Sequence, residues 1–236
     1  MDPVAQMKAK VGQVSAQLVE SGMTLGLGSG STAEYMIKDV GQRWQNGELT
    51  NLTAVCTSFQ SSVLAQGFGI PQQQLNDVDR IDLGIDGADE VDSNLNLVKG
   101  GGGCQTREKL VDSRVDRLVI VVDAGKLVDQ LGSSMPVPVE VVPEAYRQVA
   151  AKLRDLDGDP ELRMAVRKAG PVVTDEGNLI LDTRFSAIPD PEKLESTINN
   201  IPGVLENGLF LNMADEVLIG HIADDGAVSV ETRTRK

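Results

Sequence analysis

Between Asp82 and Lys109 the chain reads DLGIDGADEVDSNLNLVKGGGGCQTREK, a mixture of carboxylates, one central lysine, consecutive glycines and a glutamate at a helix start. These residue types move protons and hold charge. Glycines in a row weaken regular structure, because each loses more backbone freedom on folding than another residue would. Gly100, Gly101 and Gly102 therefore suggest backbone brought close to something small. Lys99, directly before them, could neutralise a developing oxyanion beside bare amides, or be an ordinary strand-end lysine. The run Asp86-Gly87-Ala88-Asp89-Glu90 follows an apolar strand. It could gather carboxylates at a sheet edge, coordinate Mg²⁺ or form a plain Asx-type turn. Glu108 could be a base, or an acid that complements a helix N-terminus. The one histidine, His221, lies in the apolar run VLIGHI and reads as a partly buried strand-end side chain. Glu108 or one of the aspartates is then the natural general base.

A second glycine-rich stretch, GLGSGST at 26–32, follows a short strand. It fails as a dinucleotide fingerprint, because Ser31 occupies the third glycine position and no acid ends the next strand. It is not a Walker A loop, since no Gly-Lys-Ser/Thr follows. Ser29, Gly30, Ser31 and Thr32 at a helix start could hold an anion through exposed N–H groups and the helix dipole. The alternative is a turn whose hydroxyls cap the helix. Lys126, in Asp123-Ala124-Gly125-Lys126, sits at a further strand end and is a candidate contact or a surface lysine.

The elements that position these groups alternate. Val4, Met7, Val11, Val14 and Leu18 mark an opening amphipathic helix, with Gly22 placed to cap it. MTLGLG, LTAVCT, RIDLGID, NLNLV and RLVIVVD read as successive strands with helices between, which implies a mostly parallel sheet with right-handed crossovers. Ligands sit at the carboxyl ends of such strands. After Leu131 the order becomes PVPVEVV strand, PEAYRQVAAKLRDL helix, ELRMAV and VVTDEGNLILD strands, DPEKLESTINN helix and VLENGLFL strand. That β-α-β-β-α-β order is a split βαβ unit. The expected architecture is α/β: a Rossmann-like, mostly parallel sheet domain over 1–131 plus 209–236. Inserted in it is a small α+β, ferredoxin-like domain over 132–208.

The chain's 236 residues suffice for both. Its net charge of −13 argues against nucleic acid or an anionic membrane as partner. A small anionic substrate is compatible, since it responds to local donors. Cys56 and Cys104 have no metal-like or disulfide spacing and suit a reducing cytoplasm. No apolar run approaches the roughly 18 residues of a spanning helix, and the N-terminus lacks a secretory pattern.

The segments GLGSGSTA, TSFQS, DGADEVD, LVKGGGG-x-x-TREK, VVDAGKLV, PVPVEV, TDEGNLILD and IPGVLENGLF span nearly the whole length. In them the chain resembles the type A ribose-5-phosphate isomerases. The resemblance implies an enzyme without cofactor or metal, commonly a homodimer or larger homo-oligomer, and the cysteine usage places it in the cytoplasm. It would interconvert ribose 5-phosphate and ribulose 5-phosphate through an enediolate. It also implies roles: Glu108 as the base, Asp86 in ring opening, Lys99 with the amides of Gly100, Gly101 and Gly102 at the enediolate oxygens. Asp89, beside Gly87 and Ala88, would orient the sugar; Ser29, Gly30, Ser31 and Thr32 would bind substrate, with Lys126 and Lys8 as further contacts. Ser29, Cys104, Gln105 and Gly125 depart from the family's usual residues. Competing readings are an amino-sugar-phosphate deaminase, a non-catalytic sugar-phosphate sensor and a metal-dependent hydrolase.

Overall fold

The computed structural model describes residues 2–235. In chain order, α1 (Pro3–Ala16) leads to β1 (Thr24–Leu27), α2 (Ser31–Gln45), β2 (Thr53–Cys56), α3 (Phe59–Phe68) and β3 (Leu83–Gly87). Then come β4 (Glu90–Val91), β5 (Leu97–Val98), α4 (Gln105–Asp112) and β6 (Leu118–Asp123). The elements β7 (Val137–Val141), α5 (Tyr146–Arg154), β8 (Gly158–Leu162), β9 (Leu179–Phe185), α6 (Pro191–Asn199) and β10 (Val204–Asn207) follow. The chain closes with β11 (Leu209–Phe210), β12 (Glu216–Ile222) and β13 (Val228–Thr234).

Two compact units form. The first takes residues up to 88, 107–126 and from 213 onward. Its sheet runs β13-β12-β6-β3-β1-β2, parallel throughout except for the edge strand β13. Leu25, Leu27, Leu83, Ile85, Val119 and Val121 supply its buried apolar surface. The register sets Leu27 opposite both Cys56 and Ile85, and Gly87 opposite Val121. The carboxyl ends of β1 and β2 therefore come level, while β3 runs two residues further and β6 two further again.

Local chemistry explains the helices. Asp2 caps α1 by accepting from the Ala5 N–H at 3.3 Å, with Pro3 in the first turn. Ser58 and Ser61 form a reciprocal capping box on α3, which ends at Gly69 in the left-handed region (φ 74°). Gly22 does not cap α1. That helix stops at Gln17, and Gly22 serves a later turn with φ 88°, its N–H bound to the Thr50 carbonyl.

The second unit takes 89–106 and 127–212. Its main sheet is antiparallel, in the order β10-β7-β9-β8, with the β-α-β-β-α-β succession the sequence predicts. Val137, Val139 and Val141 pack with Val149 and Leu153 of α5 and Ile198 of α6. Three elements differ from expectation, the strand read in ELRMAV lying earlier, at Gly158–Leu162. NLNLV does not enter the parallel sheet; β5 pairs antiparallel with β4 and β11 in a separate three-stranded sheet. Asp92 Oδ1 accepts the N–H groups of Asn94 and Asn96, both at 2.8 Å, and Leu95 adopts φ 60°. That local turn folds β5 back on β4. VLENGLFL splits at Gly208 into strands of two sheets, where a Cβ would lie 2.3 Å from the Lys99 carbonyl oxygen. The units also divide the chain differently from the boundaries read by sequence. Residues 89–106, 127–131 and 209–212 group with the second unit, because β4 and β5 pair with β11 there.

The α1–α2 crossing depends on Gly12. A Cβ there would stand 2.6 Å from Tyr35 Cβ and 2.7 Å from the Met36 nitrogen. Gly12→Ala should destabilise the protein by about 2 kcal/mol, since backbone must move. Gly67→Ala, with nothing within 4 Å of the added carbon, should stabilise it by about 0.5 kcal/mol. Denaturant midpoints of the two variants check both signs.

Candidate active site

In the first unit the strand ends carry the first group of predicted residues. Gly28 brings β1 against β3: a Cβ at 28 would lie 2.4 Å from Asp86 Cα. Asp86 is completely buried, and its Oδ1 accepts the N–H groups of Ser29 at 2.8 Å and Gly87 at 2.6 Å. Gly30, at φ 95°, is the N-cap of α2, and no side chain caps that helix. The capping alternative for the loop hydroxyls is thus not what they do. Ser29 Oγ instead bonds Thr57 Oγ1 at 2.8 Å and Ser58 Oγ at 2.6 Å. The Gly30 N–H goes to Gln60 Oε1 at 2.9 Å, and Lys8 Nζ reaches Ser31 Oγ at 2.8 Å. Thr32 is buried beside them in the first turn. Thr57, Ser58 and Gln60 lie in the TSFQS segment, which carries resemblance but no charge, so residue chemistry alone does not flag them.

Glu108 stands in the first turn of α4 and is 6% exposed. An acid that only offset a helix dipole would gain little from burial, since charged side chains are rarely buried without a partner or a task. Ala88 ends the strand-end segment begun by Asp86 and Gly87, and Lys126 sits half-exposed in a short turn of 3₁₀ helix after β6. His221 lies on β12 and bonds Glu231 Oε2 at 2.9 Å. Arg233 and His221 hold the exposed Glu231 carboxyl below its usual range, the Arg233 hydrogen bond being the largest cause.

The second unit holds the other group. Lys99, at the end of β5, is 2% exposed, and its Nζ lies 5.4 Å from the centre of the Phe210 ring. Gly100 follows at φ 104° and turns to Gly103, whose N–H bonds the Gly100 carbonyl at 2.9 Å. The Gly101 N–H is taken by Asp89 Oδ2 at 2.6 Å. In this conformation the Gly101 amide serves Asp89 and is not bare, unlike the expectation for all three glycines. Gly102 is exposed, with open space where its Cβ would be.

Two neighbouring acids do structural work that residue type alone did not separate from catalysis. Glu90 is fully buried and accepts from the N–H groups of Gly132, Ser134 and Met135 and from the Ser134 hydroxyl. Glu140, 1% exposed on β7, accepts from Thr106 Oγ1, Thr174 Oγ1 and Asn178 Nδ2. Among the described residues, no group of three or more His, Cys, Asp or Glu side chains is placed to hold a metal ion. No helix among them is long and apolar enough to cross a membrane.

A mostly parallel α/β sheet with a buried carboxylate and a helix start without a side-chain cap at its carboxyl edge has the arrangement in which α/β proteins commonly bind ligands. A profile of the ribose 5-phosphate isomerase A (phosphoriboisomerase A) family matches residues 53–224. A relative from Synechococcus sp. named ribose-5-phosphate isomerase A is 61% identical, covering 95% of this chain and 97% of its own. One from Thermosynechococcus vestitus with the same name is 56% identical over 94% of each. Among solved structures, the ribose 5-phosphate isomerase A of Methanocaldococcus jannaschii is similar with TM-score 0.90 and 44% identity, covering 97% of this chain and 98% of that one. A D-ribose-5-phosphate isomerase in complex with phospho-erythronic acid is similar with TM-score 0.93 and 43% identity, covering 98% of both. The chain belongs to the ribose 5-phosphate isomerase A family, and it is an isomerase.

Glu90→Ala should lose about 3 kcal/mol of stability, because three backbone N–H groups and the Ser134 hydroxyl would lose their shared acceptor. Chemical denaturation reads that loss. Burial pushes the Cys56 thiol up to about 11, against smaller opposing effects from Ser61 and Arg107. Cys56 should therefore stay protonated at pH 7.5 and resist iodoacetamide in the folded protein, reacting only after denaturation. Mass mapping of alkylated peptides checks this.

Proposed function

We propose that the chain interconverts D-ribose 5-phosphate and D-ribulose 5-phosphate through an enediolate, with Glu108 as the proton-transferring base. The open-chain aldose loses its C2 proton to the Glu108 carboxylate. The electron pair forms the C1–C2 double bond, and negative charge gathers on O1. The proton then returns to C1 from Glu108, the O2 hydroxyl gives up its proton as C2 becomes the ketone, and O1 takes up a proton in exchange. Asp86 assists ring opening and handles hydroxyl protons, and Asp89 orients the sugar. Lys99 and the glycine-loop amides offset charge on the enediolate oxygens. Ser31, Thr32 and Lys8 of the first unit hold the substrate, with Lys126 as a further contact.

The observation that carries this reading is the burial of Lys99 to 2% exposure directly before the glycine loop. An ammonium held out of water beside the loop would act strongly on a developing oxyanion there. A phosphorylated aldonic acid such as the one bound by the similar isomerase presents a planar carboxylate, like an enediolate in shape and charge. The same reading includes a homodimer or larger homo-oligomer, a cytoplasmic site in the pentose phosphate pathway, and no cofactor.

Glu108→Gln keeps the side chain's shape while removing the base. Its kcat on ribose 5-phosphate should fall by about 10³-fold with KM little changed. A variant that kept wild-type kcat would rule Glu108 out. Turnover should also survive exhaustive chelation; loss on chelation with recovery on adding Mg²⁺ would contradict a metal-free mechanism.

A further inference from the structure

The glycine loop after β5 is gripped by a side chain that the proton-transfer scheme leaves without a task. Arg163, one residue past β8, donates from Nη1 to the carbonyl oxygens of Gly100 at 2.9 Å and Gly101 at 3.2 Å. Its other edge is held by Asp182 of β9, which accepts from Nε at 2.8 Å and also from Nη2. The two side chains are 16% and 23% exposed, so this forked pair is largely sheltered from water. Gly103, at φ 76°, lies next to it: a Cβ there would come 3.1 Å from Ile180 Cδ1 and within ordinary contact, 3.7 Å, of Arg163 Nη1.

Peptide geometry converts that grip into a direction. In a trans peptide, a carbonyl and the following N–H point opposite ways, and the described chain contains no cis bond. With the carbonyls of Gly100 and Gly101 converging on one nitrogen, the N–H groups of Gly101 and Gly102 must diverge from it. The Gly101 N–H does so, meeting Asp89 Oδ2. The Gly102 N–H is turned away from Arg163 by the same constraint, at a residue with open space around it. A guanidinium on the carbonyl oxygens also polarises both peptides and strengthens their N–H groups as donors.

We propose that Arg163 is a positioning residue for the isomerisation. Through the carbonyls of Gly100 and Gly101 it aims the Gly102 amide at the oxygen where charge develops, and it sets the Asp89–Gly101 contact. Asp182 fixes the guanidinium plane. This rests on the enediolate reading. Lysine cannot replace arginine here, because a point charge does not grip a carboxylate and two carbonyls together.

The test compares Arg163→Ala and Arg163→Lys with the wild type and Glu108→Gln. Arg163→Ala should lower kcat by about 100-fold, and KM for ribose 5-phosphate should stay within about threefold, as expected of misplacement at the reacting end. Arg163→Lys should lose about tenfold, retaining charge without the fork. Phospho-erythronic acid should bind more weakly in each variant by a factor close to the kcat loss, while inhibition by inorganic phosphate stays unchanged. Added guanidinium should restore part of the activity of Arg163→Ala and none of that of Glu108→Gln. Unchanged kcat in Arg163→Ala overturns the proposal. So does an equal loss of phosphate and phospho-erythronic acid binding, which marks general damage to the fold. Should Arg163→Ala not fold, Arg163→Lys decides on the same split. If Glu108→Gln is inactive and the Arg163 variants are not impaired, only the positioning role fails; if Glu108→Gln is also unimpaired, the enediolate reading fails with it.

Discussion

The contact between Gly28 and Asp86 constrains the rest of the first unit's strand-end architecture. β1 and β3 are neighbours in a parallel sheet, and their ends approach so closely that any Cβ at 28 would overlap Asp86. In that space Asp86 is withdrawn from water, and a buried carboxylate needs hydrogen-bond donors. Two come from the backbone of Ser29 and Gly87. Binding Ser29 fixes how the chain enters α2. That in turn leaves Gly30 as an N-cap without side-chain help and frees the loop hydroxyls to bond one another and Lys8. One steric allowance thus places an acid, a loop and a helix start at once.

Acids organise the second unit in a similar way. Glu90 gathers the amides of the segment after Leu131, Glu140 ties Thr106 to Thr174 and Asn178, Asp89 bonds the glycine loop at an N–H, and Asp182 holds the Arg163 that bonds its carbonyls. The net charge of −13 is therefore only partly a surface property. Several carboxylates are internal acceptors for loop N–H and hydroxyl groups. A strongly acidic composition here reflects loop architecture as much as solubility.

Local patterns made much of this legible. Period-two and period-3.6 apolar runs marked the long elements, and Asp190 before Pro191 marked a helix start, since its side chain does accept from the Lys193 N–H. The split βαβ order was readable because strand and helix signals alternate cleanly after Leu131. NLNLV was misplaced, because three buried apolar residues interspersed with asparagines cannot distinguish a central parallel strand from a short hairpin arm. Within DGADEVD, the acids looked equivalent. Asp86, Asp89, Glu90 and Asp92 turn out to serve a loop entry, a glycine amide, a distant segment and a local turn respectively. Arg163 was invisible as more than a charge in ELRMAV, since its partners lie about 20 and 60 residues away along the chain.

What the sequence alone determined was the inventory and the local geometry: which residues could act as acids, bases or donors, where glycine permits close approach, and which segments form helices and strands. Those properties depend on neighbours a few positions apart. Tertiary structure decided the assignment of tasks among chemically alike residues. Burial and hydrogen-bond partners depend on which strands pair and which loops meet, and those contacts join residues far apart in sequence. The same carboxylate is thereby a structural acceptor at Glu90 and a buried candidate base at Glu108.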